Sequence, residues 1–478
     1  MTLKTKIQTN PRTSHRRIIT SRALKMYNHS DTIASLATGP GGTIAVIRIS
    51  GRNAFDISSK ILKPDNALKE PKNGVSYLLK VVDENNQIID RAIVIAYINP
   101  KSFTGEDMVE IFCHNSPYIV KKIIELLTKN GARQAIRGEF SFRAFINGKM
   151  DLSQAEGLNE LIKAETEKQH RIAINQANGK LSRKIDLIKD SIINLLSEIE
   201  VRIDDNYEEM ENIDISNYLE NIESTMNDIK KLVKSYEKAN FIKNGIKIAI
   251  VGSPNSGKSS LLNRILGYER AITSEIPGTT RDTIEAVTHI GGIKAIFTDT
   301  AGIRANSNDK IEIEGMERTK NAIRTSDIII YLEDVSKPQS DDDKLAVDMI
   351  NKNIKKGAKL IKTYSKSDLE KTKQEKDFLY TSSKTGENLD KLLSTISNTE
   401  ENVIDSAYDE IITSQRQKQC LENSLKELIK AREILSDSNY EIVAEHLRMS
   451  LNHLEDITGK TTSDDILKNI FKNFCVGK

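Results

Sequence analysis

Four residues of this chain have the types and the spacing of a phosphate-binding loop: Gly252, Gly257, Lys258 and Ser259, in the pattern Gly-x-x-x-x-Gly-Lys-Ser. The glycines allow backbone N–H groups to converge on phosphate oxygens, and the following helix adds the positive end of its dipole. Lys258 is expected to reach the β- and γ-phosphates, and Ser259 to hold Mg²⁺. A chance match in a glycine-rich turn is the alternative, but an apolar strand precedes the loop and a helical pattern follows it. The other loop residues expected at the phosphates are Asn255, Ser256 and Ser260.

Two later segments have the residue types of switches that sense a bound nucleotide. Thr280 can place its hydroxyl on Mg²⁺ and its N–H on the γ-phosphate, so a triphosphate would order the loop around it. Asp299 should support Mg²⁺, and the Gly302 N–H should sense the γ-phosphate. Each segment alone is a weak signal, but their order after a phosphate loop indicates a GTPase. Further expected nucleotide contacts are Ser274, Glu275, Ile276, Pro277, Gly278, Thr279, Thr300 and Ala301.

The nucleotide base is expected at residues 365–368, which follow a predicted strand. GTPases place Asn-Lys-x-Asp here, and the aspartate carboxylate accepts two hydrogen bonds from guanine. Asp368 is present, but Ser365 replaces the asparagine, so we predict that a base or loop contact is lost. Adenine would not offer the donors that Asp368 needs, and GTP is therefore still the predicted nucleotide, with a reduced affinity. Other expected base contacts are Lys366, Ser383 and Lys384.

The residue after Gly302 is Ile303, which cannot orient an attacking water as a glutamine does. No arginine of the phosphate loop or the switch is an obvious arginine finger, which would stabilise the negative charge of the transition state. Another group must therefore take that role. Asn255 is well placed to coordinate a monovalent cation beside the phosphates, and such a cation could take that role. The plainer interpretation of Asn255 is an amide that stabilises the loop.

The elements around this site predict a multidomain chain of mixed α/β and all-α domains. Residues 31–150 contain β-rich runs and one helical pattern, and the string 137–152 mixes aromatic and charged residues. That string predicts either a buried polar or ligand-lining segment, or ordinary surface. Apolar residues spaced 4,3,4,3,4 from Leu181 to Ile199 predict a long helix of a bundle.

Helical spacing returns after the nucleotide domain, which suggests that a Ras-like phosphate-loop domain is inserted into one discontinuous helical bundle. Gly459 is a predicted helix stop, and Ser463 begins the cap of a last helix. The predicted boundaries are a basic tail 1–30, an α/β domain 31–152, helical parts 153–242 and 401–478, and a nucleotide domain 243–400.

Composition sets broad limits. The net charge of +2 gives no global sign of a nucleic-acid partner, and three cysteines without metal spacing favour a reducing compartment, so a cytoplasmic protein is expected. Residues 1–30 carry seven Lys/Arg and no acid, which indicates a disordered tail or an upstream start, or a mitochondrial transit peptide. The acidic run 204–211 is interpreted as a solvated break between helices rather than a metal site.

Several motifs together resemble one family, the tRNA-uridine modification GTPases known as MnmE or TrmE. The resemblance covers residues 31–478, and its inserted nucleotide domain and chain ends are specific. The motifs that carry it are Asp31-Thr-Ile-Ala, Phe103-Thr-Gly-Glu-Asp-Met-Val-Glu110, Gly138-Glu-Phe-Ser-Phe-Arg-Ala-Phe-Ile-Asn-Gly-Lys149, the segments 252–259, 278–282 and 299–302, and the tail Phe474-Cys-Val-Gly-Lys478.

The resemblance implies a potassium-activated GTPase whose nucleotide domains meet in a homodimer. Asn255 would ligate K⁺ by its side chain, and Glu312, with Glu314 as the runner-up, would orient the attacking water. The other K⁺ contacts would be Ser274, Ile276 and Thr279.

The resemblance also implies an N-terminal domain that dimerises and binds a formyl- or methylene-tetrahydrofolate. The matching positions are Arg48, Glu110, Lys149 and Lys478 of the tail. With an FAD-dependent partner of the MnmG or GidA type, in a heterotetramer, the family adds an aminomethyl-type group to C5 of the wobble uridine in certain tRNAs.

Cys475 can be a nucleophile that adds to the uracil ring, or part of a tail that contacts folate or the partner. Cys113 and Cys420 are expected to be packing residues. Two rival functions remain open from the sequence, a ribosome-assembly GTPase switch without modification chemistry and a dynamin-like mechanical GTPase. An RNA-binding module after the nucleotide domain would favour the first, and membrane or filament binding the second.

Overall fold

The computed structural model describes residues 31–39, 41–64, 66–203, 215–268, 285–298, 310–370, 372–373, 375–397, 410–435, 439–474 and 477. These residues form two compact units. The first takes its described residues from 31–159, 176–230 and 416–477, and the second from 160–175 and 231–415.

The N-terminal part of the first unit is built on a mixed sheet. Over its described residues the sheet has seven strands in the order β3-β4-β5-β6-β2-β1-β7. Buried and exposed residues alternate along its antiparallel strands, as expected when one face packs on a core. The strands are β1 Ile33–Leu36, β2 Ile44–Ser50, β3 Leu62–Lys63, β4 Ser76–Val82, β5 Ile88–Tyr97, β6 Met108–His114 and β7 Arg133–Gln134.

Helices α1 (Ala54–Ser59) and α2 (Pro117–Lys129) contribute Ile57, Ile123 and Leu127 to the core of this sheet. Helix α3 (Glu139–Ile146) is buried almost throughout, including its charged residues. This confirms the buried polar alternative for residues 138–146 of the string 137–152, whereas Arg137 and residues 147–149 are exposed.

The chain continues through four helices, and the bounds are α4 Leu152–Lys163, α5 Glu167–Ala177, α6 Lys180–Ile203 and α7 Ile215–Asn244. The predicted apolar stripe of α6 is confirmed, because Leu181, Ile185, Ile192 and Ile199 are all buried. The acidic run 204–211 lies outside the described residues.

The second unit contains a sheet whose described strands follow the order β13-β12-β11-β8-β10-β9. All neighbouring strands are parallel except β9, which pairs antiparallel with β10. Parallel order places the carboxyl ends of β8, β11 and β12 at one edge, where the loops of the candidate site begin. The strands are β8 Ile246–Val251, β9 Glu285–Ile290, β10 Ile293–Thr298, β11 Ile328–Asp334, β12 Lys359–Ser365 and β13 Leu379–Tyr380.

Buried Ile, Leu and Ala residues of the central strands pack against helices on the two sheet faces. The helices that follow β8 in this domain are α8 Lys258–Tyr268, α9 Lys310–Thr325, α10 Asp341–Asn353 and α11 Leu389–Ser397. This arrangement is an α/β phosphate-loop domain, as the sequence predicted.

The last helices are α12 Gln415–Leu435, α13 Tyr440–Thr458 and α14 Asp464–Lys472. Helix α13 packs along α6, and it ends at Gly459 with a φ of +83°, which confirms the predicted stop. Ser463 precedes α14 at the N-cap position, but its side chain makes no capping hydrogen bond. In the described part of the chain, no helix is both long and apolar enough to cross a membrane.

Candidate functional site

The phosphate loop connects β8 to α8 through a backbone that two glycines make possible. A Cβ atom on Gly252 would lie 2.2 Å from the Leu332 carbonyl oxygen, so no other residue fits there. Gly257 has a φ of +97°, and Asn255 adopts the same left-handed region with a φ of +60°. Asn255 is exposed at this turn, so its side chain can reach a ligand at the loop.

The Lys258 ammonium lies inside the phosphate loop and bonds to its backbone. It is buried and donates hydrogen bonds to the carbonyl oxygens of Gly252 at 3.1 Å and Ser253 at 2.8 Å. Ser259 and Ser260 follow in the exposed first turn of α8. The loop therefore presents a cation, hydroxyl groups and a helix N-terminus together, which is the donor set that phosphates require.

The guanine-recognition loop, defined as residues 365–368, leaves the end of β12. The Oδ1 atom of Asp368 accepts a hydrogen bond of 2.6 Å from the Ser382 hydroxyl, and this bond lowers the pKa of Asp368 below its ordinary value. Lys366 has a φ of +59°, and its Nζ forms a 2.6 Å ion pair with Asp334. Asp368 is exposed, so its ionised carboxylate is open to a base.

Ser365, which stands where the motif has asparagine, is buried at the end of β12. Its hydroxyl lies 2.6 Å from the carbonyl oxygen of Ser256 in the phosphate loop and 3.2 Å from that of Glu333 in β11. The shorter serine therefore keeps a contact with the phosphate loop, and the loss of a base contact stays a prediction.

Sequence reasoning missed the role of Ser382. This side chain fixes the Asp368 carboxylate, and the Ser382 carbonyl oxygen also accepts a 2.9 Å hydrogen bond from the Gly386 N–H. The adjacent Ser367 hydroxyl donates to Glu387 at 2.6 Å. The signal was present, because Ser382 directly precedes Ser383 and Lys384, which the sequence predicted at the base.

Many predicted nucleotide contacts lie outside the described residues. They are Ser274, Glu275, Ile276, Pro277, Gly278, Thr279, Thr280, Asp299, Thr300, Ala301 and Gly302. Glu312 and Glu314 are in the N-terminal part of α9, but their side chains are also outside the described part. These residues remain predictions.

A second polar site lies on the N-terminal sheet, where β2 and β6 bring Arg48 opposite Glu110. The guanidinium forms a 2.7 Å ion pair with that carboxylate and lies over the rings of Phe103, at 5.3 Å, and Phe140, at 5.7 Å. Tyr97 donates a 3.4 Å hydrogen bond to the other carboxylate oxygen. Burial and the Glu110 charge raise the pKa of Tyr97, so its hydroxyl stays protonated at neutral pH.

The C-terminal tail reaches this site. Arg48 donates from Nη1 to the Gly477 carbonyl oxygen at 3.1 Å, whereas the Lys149 ammonium bonds to the Pro100 carbonyl at 2.9 Å. Thus Arg48 and Glu110 are directly joined and Lys149 is held by a different partner. Cys475 and Lys478 lie outside the described residues.

A buried ionic network in α3 was not predicted in detail. The fully buried Arg143 pairs with Asp31 at 2.7 Å, Glu106 at 3.1 Å and Glu139 at 3.2 Å. The sequence indicated this network only by placing charged residues among the aromatic residues of α3. The network fixes the segment that contains Phe140, and so it supports the surroundings of Arg48.

Cys113 and Cys420 have the properties of packing residues. Both are unbridged thiols, and burial raises the pKa of each to about 11. Neither is activated as a nucleophile at neutral pH.

Comparisons with known proteins match nearly the whole chain. The family model described as GTP-binding protein TrmE N-terminus matches residues 32–149, and the MnmE helical domain model matches residues 152–475. A relative from Fervidobacterium nodosum, tRNA modification GTPase MnmE, is 38% identical over 460 residues, covering 94% of this chain and 98% of the relative. The protein of the same name from Thermotoga maritima is 36% identical over 455 residues, covering 94% of this chain and all of the relative.

Among solved structures, Era of Aquifex aeolicus bound to GDP.AlF4⁻ is 27% identical, with 38% of this chain and 66% of that chain covered. The TM-score of 0.26 is too low for this likeness to bear on function.

Proposed function

The chain belongs to the MnmE family of tRNA modification GTPases, and from this membership we propose that it is potassium-activated and works with an FAD-dependent partner. It is a GTP hydrolase that acts in tRNA modification. The more specific proposal is the addition of a (carboxymethyl)aminomethyl group to C5 of the wobble uridine in certain tRNAs. The observation that carries the GTPase part is the phosphate loop, with buried Lys258 and exposed Asn255.

The described residues fit a magnesium nucleotide. Lys258 already lies among carbonyl oxygens of the loop, and the phosphates would replace these weaker partners. Ser259 and Thr280 would hold Mg²⁺, which would neutralise phosphate charge when bound. Asp368, whose carboxylate is held by the Ser382 hydroxyl, would accept the hydrogen bonds of guanine.

The exposed, left-handed position of Asn255 fits a K⁺ ligand beside the phosphates. Its amide oxygen would hold the ion, with Ser274, Ile276 and Thr279 as the other contacts. K⁺ would supply positive charge where negative charge develops during hydrolysis. Glu312, with Glu314 as the alternative, would orient the attacking water, and we propose that two nucleotide domains meet in a homodimer.

The Arg48 site fits a ligand with hydrogen-bond acceptors and an aromatic ring, because a fixed guanidinium lies near two phenyl rings and beside a carboxylate. We propose that it takes the tetrahydrofolate derivative, with Lys149 and Lys478 as further contacts. The folate would supply a one-carbon group for the modification. Cys475 remains either a nucleophile towards uracil or a contact of the tail.

The direct test is the rate of GTP turnover in KCl and in NaCl at equal ionic strength. We expect a much higher rate in KCl and a loss of that difference in Asn255→Ala. Equal rates in the two salts would contradict the potassium mechanism. A mass-spectrometric assay of wobble uridine in tRNA, with the FAD-dependent partner present, tests the modification separately.

The rival hypotheses of a ribosome-assembly switch and a dynamin-like GTPase are not retained. Both leave residues 32–149 unexplained, and this segment matches the TrmE N-terminal family model.

A further inference from the structure

We propose that Gln169 is a positioning residue that latches helix α5 to the end of helix α7, where the chain enters the nucleotide domain. Its side-chain amide donates from Nε2 to the carbonyl oxygens of Ile242 at 2.9 Å and Lys243 at 3.2 Å. Both acceptors lie in the last turn of α7, where a helix leaves its carbonyl groups without partners of its own. The role that we assign to this latch is the coupling of GTP hydrolysis to tRNA modification, and it therefore rests on the proposed function.

The same amide also fixes the start of α5. Its Oε1 accepts hydrogen bonds from the N–H groups of Glu165 at 2.7 Å and Thr166 at 3.2 Å, and the Thr166 hydroxyl accepts one from the Gln169 backbone N–H at 3.2 Å. These reciprocal bonds form a capping box, in which glutamine and glutamate serve equally. One side chain therefore joins the start of α5 to the end of α7 through two different atoms.

The latched helices are also fastened to the sheet of the nucleotide domain. The Glu165 carboxylate forms a 2.8 Å ion pair with Lys294 of β10. Gly245, which follows α7, packs on the same residue, since a Cβ atom there would lie 2.6 Å from the Lys294 carbonyl oxygen. Strand β10 ends at Thr298, directly before Asp299, the predicted support of Mg²⁺. A nucleotide-dependent shift of β10 would therefore act on both helices that the latch joins.

Helices α5 and α7 extend beyond the nucleotide domain. The second compact unit includes residues 160–175 and 231–415, so most of α5 and the last part of α7 belong to the same unit as the nucleotide domain. Each helix continues into residues of the first unit. Two helices that are fastened together carry a movement as one rigid element, whereas an unfastened helix end opens locally and absorbs it. The latch therefore determines whether a movement of the nucleotide domain reaches the first unit.

The test compares Gln169→Glu with Gln419→Glu in the full chain. A glutamate at position 169 keeps the acceptor of the capping box but replaces the donor to α7 with an oxygen. Gln419 is exposed on α12, so its substitution makes the same change of charge away from the latch. In Gln169→Glu we expect the amides of residues 242–246 to exchange hydrogen about tenfold faster, because the last turn of α7 loses two hydrogen bonds. Exchange at residues 165–167 should change by less than about twofold. Mass spectrometry of peptides measures both.

The functional measurement is the amount of modified wobble uridine formed per GTP hydrolysed, in KCl and with the FAD-dependent partner present. The GDP affinity and the GTP turnover of Gln169→Glu should stay within about twofold, because the latch bonds to helix ends and not to the phosphate or guanine loops. Modification per GTP should fall at least about fivefold, the lower end of typical coupling between sites. Gln419→Glu should behave like the unchanged protein in every measurement.

Unchanged exchange at residues 242–246 in Gln169→Glu would overturn the latch. Faster exchange with an unchanged amount of modification per GTP would overturn its coupling role. If the unchanged protein itself forms no modified uridine, the proposed function fails instead, and the exchange comparison still tests the latch. Thermal melting establishes that each variant is folded. If Gln169→Glu does not fold, Gln169→Met replaces it, and exchange should then rise at both residues 165–167 and 242–246, because methionine makes none of the side-chain bonds.

Discussion

The Arg48 guanidinium donates a 3.1 Å hydrogen bond to the carbonyl oxygen of Gly477, although 429 residues separate the two in the chain. The bond joins the C-terminal tail to the N-terminal sheet within one compact unit. Gly477 has a φ of +90°, and a Cβ atom there would lie 2.2 Å from the Leu36 carbonyl oxygen. The tail therefore packs so closely against the Leu36 backbone that only glycine fits at position 477.

Substitution Gly477→Ala should displace the tail from Arg48, because the added methyl group would overlap the backbone at Leu36. We expect faster removal of the C-terminal residues by carboxypeptidase, measured by intact mass, and weaker binding of 5-formyltetrahydrofolate. Gly74→Ala is the matched control, since Gly74 has a φ of +73° and open space around it. Equal trimming of both variants would show that the steric contact does not hold the tail.

Removal of the Ser382 hydroxyl should weaken the discrimination between GDP and IDP. Without that bond the Asp368 carboxylate is less fixed, and its lowered pKa returns towards the ordinary value of an aspartate. An aspartate with the ordinary or the lowered pKa is ionised between about pH 8 and 5, so GDP recognition by the unchanged protein should persist over that range. In Ser382→Ala we expect a severalfold weaker GDP affinity already at pH 7.

The control for Ser382 is Ser394→Ala, since Ser394 is exposed on α11 and its hydroxyl donates to the Lys391 carbonyl oxygen at 3.0 Å, within its own helix. Fluorescence titration with labelled GDP and unlabelled IDP gives both affinities. Unchanged discrimination in Ser382→Ala would mean that Asp368 is positioned by other groups.

Substitution Arg143→Ala should destabilise the first unit strongly. It would leave Glu139, which is fully buried, with one fewer cation, and breaking a buried ion pair costs about 3–5 kcal/mol. Urea unfolding followed by circular dichroism measures the loss. Arg91→Ala on the exposed side of β5 is the control and should cost less than about 1 kcal/mol. A similar small cost for Arg143→Ala would contradict the structural importance of the network.

The Cys113 and Cys420 thiols should alkylate slowly at pH 7.5 in the folded protein. Burial raises the pKa of each from 9.0 to about 11, so the reactive thiolate is scarce. Between about pH 9 and 11 the unfolded state loses these protons first, and this contribution to stability should therefore fall as the pH rises. Peptide mapping after iodoacetamide treatment, with and without urea, checks the reactivity. Equal rates in the two conditions would exclude protection by burial.

Several elements were predictable because their signals are local. The positive φ of Gly257 and the strand–loop–helix order follow from residue types at adjacent positions. The buried apolar stripe of α6 follows from helical periodicity. The motif resemblance likewise identified the family. Ser365 shows the limit of such reasoning, since comparison with a motif could not tell whether a base or a loop contact is lost, and the fold shows that a loop contact is kept.

The sequence by itself determined the chemistry of the nucleotide site, since the glycines, Lys258 and Asp368 specify phosphate and guanine recognition by type and spacing. The tertiary structure alone decided which distant groups meet: Ser365 with Ser256, Arg143 with Asp31, and Arg48 with Gly477. The physical reason is that backbone conformation is set mainly by neighbouring residues, whereas a side-chain hydrogen bond depends on distances that exist only after the core has packed.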